Sequence, residues 1–145
     1  MTIKLLLALV AVAAGVAATV QGAANAALSA RAGLGAALLL NTGIVLVGAL
    51  VFFLVSGARA TFFPADTPWS LYVGGLCGFA VILAAAFVFP RIGAASAVAL
   101  MVLGQGAAAL VIDHFGLMGF ARDPVSLARI GSFALIVVGV ALLRR

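Results

Sequence analysis

Apolar residues fill this chain in long blocks, and its sparse polar side chains fall mostly where those blocks end. The first block follows Lys4 and is uncharged from Leu5 to Val20, which predicts a membrane-crossing helix over about residues 3–25. Gly15, Ala18 and Gly22 give it small surfaces for close helix contact. Gln21 and Asn25 are four apart and project together near its end, in headgroup water or toward a ligand. Arg31, Gly33 and Gly35 predict the first turn, and a second helix follows over 34–55 with Asn41 as its one amide. Such an amide either bridges to a neighbouring helix or faces a ligand. Residues 56–67 read as a loop, with Phe62 and Phe63 along the interface. Thr67 as N-cap and Pro68 at the first helical position predict a third helix over 69–89. Trp69 and Tyr72 fall at headgroup level, where aromatic belts form, and Tyr72 is also placed to close a binding site. Gly74 and Gly78 form a GxxxG ridge. Pro90-Arg91-Ile92-Gly93 ends this helix and at once starts a fourth over 94–113, a link short enough to force an antiparallel hairpin. Phe115–Val125 is the last loop, and Asp123 or Ser126 caps a fifth helix over 127–143.

The fourth block carries the most distinctive chemistry, in the run LGQGAAALVIDHFG from Leu103 to Gly116. Gln105, Ala109, Ile112 and Asp113 share one helical face. A polar stripe on an apolar helix needs a reason when lipid surrounds it. The block ends in Asp113-His114, the one adjacent acid–imidazole pair in the sequence. Coupling to protons would fall to Asp113 and His114, since histidine titrates near neutrality. The alternative is a structural one: Asp113 caps the helix or pairs with Arg122 or Arg129 at the membrane edge.

Composition narrows the class. Of the 145 residues, 67% are hydrophobic and 8% charged, against about 25% charged in soluble domains, so water is not the main solvent. Each block reaches across an apolar slab of roughly 30 Å, the fifth only just. Backbone amides inside lipid must be satisfied internally, so the spans are helices. A basic start and Ala24-Asn25-Ala26 resemble a signal peptide, but further spans follow rather than a secreted domain. The 8 basic and 3 acidic residues leave a net charge of +5 without a basic stripe, which excludes nucleic-acid binding and fits basic helix ends in membrane lipid. Cys77 is the lone cysteine and is expected to pack as a small hydrophobe. The sequence offers no metal-ligand cluster, no nucleophile–base pair and no Gly-rich loop followed by Lys, so neither an enzyme nor a cofactor is expected.

The cations carry the expectation about assembly. Five spans place Lys4, Arg59, Arg122 and Arg129 on one side, and Arg31, Arg91, Arg144 and Arg145 on the other, four against four. Orientation follows the Lys/Arg asymmetry, and here there is none. The expected fold class is therefore all-α integral membrane: five transmembrane helices in one domain, 1–145, that insert either way up. An antiparallel homodimer of such chains gives ten helices with inverted symmetry and a site at the midplane. A paired homologous subunit would serve the same geometry.

The run from Pro90 to Gly116 and the run SLARIGSFALIVVGVALLRR from Ser126 resemble part of a repeat of the drug/metabolite transporter superfamily, more closely its short YdcZ-type branch. The matching positions include Arg91-Ile92-Gly93-Ala94-Ala95, Gly104-Gln105, Asp113-His114-Phe115-Gly116, Arg129, Gly131 and Gly139-Val140, with Gln21-Gly22, Asn25 and Arg31 near the start. The resemblance implies half of a ten-helix transporter in a bacterial inner membrane. The related small multidrug resistance proteins carry a first-helix glutamate that exchanges protons for cationic drugs. The first block here has no acid, and Gln21 and Asn25 occupy roughly that region. An amide cannot exchange a proton at physiological pH, so that mechanism does not carry over.

The function expected is secondary transport or export of a small metabolite or amphiphile. Gln21, Asn25, Asn41 and Gln105 supply amides that both donate and accept, and Tyr72 sits at the edge. Two other readings remain. Asn41-Thr42-Gly43 resembles fluoride channels on three residues, which suggests a passive dual-topology channel. The missing first-helix acid also allows a non-transporting membrane subunit of a hetero-oligomer.

Overall fold

The computed structural model describes residues 2–57 and 62–143, and every regular element among them is helical. Arg59, Arg144 and Arg145 of the cation tally lie outside the described residues. The chain forms two compact units, Met1–Arg91 and Ile92–Arg145. The first holds α1 (Ile3–Ala32), α2 (Leu34–Ser56), a 3-10 segment (Trp69–Val73) and nearly all of α3 (Gly74–Ile92). The second holds α4 (Ala94–Phe115), a short 3-10 turn (Leu117–Gly119) and α5 (Leu127–Leu143).

α1 has 30 residues, and it runs well past the expected end near residue 25. Ala23–Ala32 is mostly alanine, the best helix former, and nothing in it stops propagation. Gly33 alone breaks the helix, at φ 85° and ψ 153°, a conformation essentially reserved for glycine. Its N–H donates to the Ser29 carbonyl at 3.0 Å. Gly35, expected in the turn, is already inside α2.

The same joint recurs sixty residues on. Gly93 adopts φ 79° and ψ 156° between α3 and α4, and it too stands two residues after an arginine. The Gly33 carbonyl accepts from Ala37 N–H, and the Gly93 carbonyl from Ala97 N–H, each at 3.1 Å. Ala37 and Ala97 are both 1% exposed, so the repeat extends to what is buried. The expected link Pro90–Gly93 shrinks to Gly93, because α3 continues through Pro90 to Ile92. In the last turn, Pro90 removes one intrahelical bond and does not end the helix.

The start of the third span also differs from expectation. Thr67 makes no side-chain cap, and Pro68 is the cap of the 3-10 segment, with Leu71 N–H bonded to its carbonyl at 3.0 Å. α-Helix begins only at Gly74. The fourth span reaches Phe115 rather than 113, and α5 keeps its expected bounds. Ser126 caps α5: its Oγ accepts from Arg129 N–H at 3.3 Å, and its carbonyl from Ile130 N–H at 3.0 Å.

Among the described residues four segments are long and apolar enough to cross a membrane: α1, α2, Trp69–Ile92 and α4. The 17 residues of α5 span roughly 26 Å, a little short of the apolar slab. Among the described residues the buried apolar positions are five alanines, Phe89 and Val140, while many leucines, valines and phenylalanines are exposed. That inversion suits a chain whose solvent is lipid, and the protein is a multi-pass membrane protein. The Gly74 and Gly78 ridge meets no neighbour among the described residues, and neither do Gly43, Gly48, Gly131 and Gly139.

Candidate functional site

The first unit separates two amides that the sequence spacing had joined. Gln21 is exposed, whereas Asn25, four residues later, is 5% exposed. Because α1 continues to Ala32, Asn25 lies seven residues inside the helix and not at a hydrated end. Gly22 and Ala26 beside it are buried as well. The ring of Phe89 on α3 covers Gly22 so closely that a Cβ there would lie 2.7 Å from Phe89 Cζ. Gly22 on α1 thus admits an aromatic from α3, on the face that also carries Asn25.

Asn41 on α2 is half-buried. It lies eight residues after Gly33 and Asn25 eight residues before it, so two spans joined at Gly33 carry the amides at matching depth. The Nδ2 atoms of both are buried and have no hydrogen-bond partner among the described residues. Buried donors are nearly always paired, so two orphans in one helix pair call for an account. Tyr72 is not brought to them: it sits in the 3-10 segment with its ring 5.9 Å from Phe63, in the interfacial stretch. A groove of about 360 Å³ runs past Ala26, Ser29, Ala86, Pro90 and Arg91. At its end Arg91 lies over the Phe87 ring, 3.4 Å from the centroid, and donates to the Phe87 carbonyl.

The second unit gathers its polar groups where α4 meets α5. Arg129 Nη1 lies 3.3 Å from Asp113 Oδ2, and Nη2 bonds Asp123 Oδ2. Of the two cations expected beside Asp113, Arg129 is the one that pairs with it. Arg122 instead donates from Nε to the His114 carbonyl at 3.2 Å. Asp123 N–H donates to the Asp113 carbonyl at 2.8 Å, and Val125 N–H donates to His114 Nδ1 at 3.2 Å. Gly116 makes the return tight: at φ 63° it ends α4, and a Cβ there would lie 3.2 Å from Arg122 Cβ and from the Phe120 carbonyl oxygen. Asp113 and Arg129 also line a cleft of about 260 Å³ with Gly106, Ala109, Ser132 and Phe133. Ala109 and Asp113 share that face as expected, but Gln105 is exposed and lies outside it.

Sequence spacing missed the bond from Val125 to His114, the Phe89 ring over Gly22 and the repeated joint. The joint was there to be found, as Arg-x-Gly-x-x-x-Ala at Arg31–Ala37 and again at Arg91–Ala97. The other two depend on contacts between elements and leave no local signal.

A family model described as "Putative inner membrane exporter, YdcZ" matches residues 6–142. No curated protein and no solved structure matches the chain.

Proposed function

This chain belongs to the YdcZ family of inner membrane exporters in the drug/metabolite transporter superfamily, and from that membership we propose that it is a small secondary exporter of a metabolite or amphiphile in the bacterial inner membrane. The observation that carries the proposal is the pair of buried, unpartnered amide donors at Asn25 and Asn41. Both lie about 12 Å along the helix axis from Gly33. With Gly33 at the edge of a slab about 30 Å thick, that depth is close to the midplane. Two inverted copies would bring Gln21, Asn25, Asn41 and Gln105 toward one shared site, with Tyr72 at its rim. Rocking of one copy against the other would alternate access. Amides offer donors and acceptors without charge, so the site suits neutral or weakly polar solutes. The glycine ridges that meet nothing among the described residues supply surfaces for the second copy.

The test compares the metabolites released by cells that express the wild type, Asn25→Leu, Asn41→Leu or no transporter. A compound enriched in the medium only with the wild type supports export through the amides. Identical media with and without the wild type overturn it. Gln105→Ala checks the wider site, because unchanged release by that variant removes Gln105 from it.

A further inference from the structure

The contacts between α4 and α5 assign His114 a specific task. We propose that it is a proton-operated latch: the neutral ring holds the start of α5 to the end of α4, and a proton on Nδ1 lets it go. The proposal concerns the second unit alone and stands whether or not the chain exports anything.

Val125 N–H points at His114 Nδ1 and is the donor. Nδ1 must then present its lone pair, which places the neutral ring's proton on Nε2. A second proton can only go to Nδ1. It turns the acceptor into a donor and sets two N–H groups against each other at 3.2 Å. The consequence is local and directional, because Val125 immediately precedes Ser126, the cap of α5. Losing this tie removes one of the bonds that hold the start of α5 to α4, and leaves the Arg129–Asp113 pair and the bond from Asp123 N–H to the Asp113 carbonyl. Arg129 sits in that turn, paired with Asp113 across the mouth of the cleft. Protonation therefore loosens the mouth of the cleft without acting on either carboxylate.

The charged groups around the ring come from every element of this corner: Asp113 on α4, Arg122 and Asp123 in the loop, and Arg129 on α5. Asp113 and Asp123 are both engaged by Arg129, and Arg122 by the His114 carbonyl. None of these contacts uses the imidazole. The ring's own partners are Val125 N–H and the edge of Phe115, 4.7 Å away between centroids. Imidazole is the side-chain type whose charge changes between about pH 5 and 8.

The measurement is amide hydrogen exchange at Val125 and along residues 117–126, on the full chain in lipid nanodiscs without added ligand. Rates are divided by the intrinsic exchange rate at each pH. The wild type is expected to lose about tenfold in protection between about pH 8 and about pH 5.5. In His114→Asn, the Oδ1 atom stands close to where Nδ1 was and does not titrate, so protection persists at both pH values. His114→Ala is expected to be poorly protected at both. Unchanged wild-type protection across this range overturns the proposal. So does a His114→Asn variant that titrates like the wild type, which would pass the role to Asp113 or Asp123. If His114→Ala fails to fold, the wild type and His114→Asn still decide the matter.

Discussion

Asn25 and Gln21 carry the same amide, stand one helical turn apart, and meet opposite fates. Asn25 shares a helical face with the buried Gly22 and Ala26, with Phe89 lying over Gly22, and Gln21 stands off that face. A buried donor without a partner costs about 1–3 kcal/mol, so Asn25 and Asn41 each weaken the chain as it stands. Replacing either by leucine, which is close in size and needs no partner, is expected to raise the stability of the purified protein by about 1 kcal/mol while export is lost. Thermal unfolding in detergent together with metabolite release reads both effects. A fall in stability would instead mark a structural amide. The Asp113–Arg129 pair behaves in the opposite way. Both side chains are more than a third exposed, so Asp113→Asn is expected to cost under about 1 kcal/mol in the same unfolding measurement. The sequence made every one of these side chains a candidate, because intramembrane polar groups are rare enough to stand out. It could not rank them, because rank is set by which neighbour covers which face.

At the scale of the element, the joints rather than the helices limit what can be changed. Gly33 and Gly93 occupy a backbone region closed to other residues, so alanine at either is expected to cost about 1–3 kcal/mol in thermal unfolding. Gly35, two residues on, is helical with open space where a Cβ would go, so Gly35→Ala should be neutral or slightly stabilising. Gly22→Ala is a third case, in which backbone geometry is permissive but the Phe89 ring must move, at about 1–3 kcal/mol. The three variants thus separate backbone strain, helix propensity and side-chain crowding. These elements were legible in the sequence to different degrees, for physical reasons. The span 127–143 emerged whole because Ser126 is a strong cap and the apolar run behind it is unbroken. The end of α1 lies beyond the expected residue 25 because nothing between Asn25 and Gly33 stops a helix in an alanine-rich setting. Pro90 misled in the same way: a proline in a last turn removes one bond and leaves the helix standing.

At the scale of the whole molecule, the proposal turns on a second copy of the chain. Its large apolar side chains face outward, and six of its glycines at helix ridges meet nothing among the described residues. Helices in lipid associate through small-residue packing, so these ridges are where a second copy would seat. One sequence cannot display such a partner, but its charges bear on how the partner is oriented. The proposed five-span arrangement has four cations on each side and so gives the insertion machinery no preference, and the expected result is equal populations in both orientations. A tag at each terminus, probed for accessibility in intact spheroplasts, measures this directly. Biasing the tally should then split the function. Two lysines appended after Arg145 fix one orientation, and Thr2→Lys with Thr67→Lys, on the opposite side, fixes the other. Each biased chain is expected to release no metabolite when expressed alone, because it lacks an inverted partner. Co-expression of the two should restore release to the wild-type level. A wild type found in one uniform orientation defeats the inverted pair, and so does full activity in a biased chain expressed alone. Either result would leave Asn25 and Asn41 to a site built within one copy or between parallel ones.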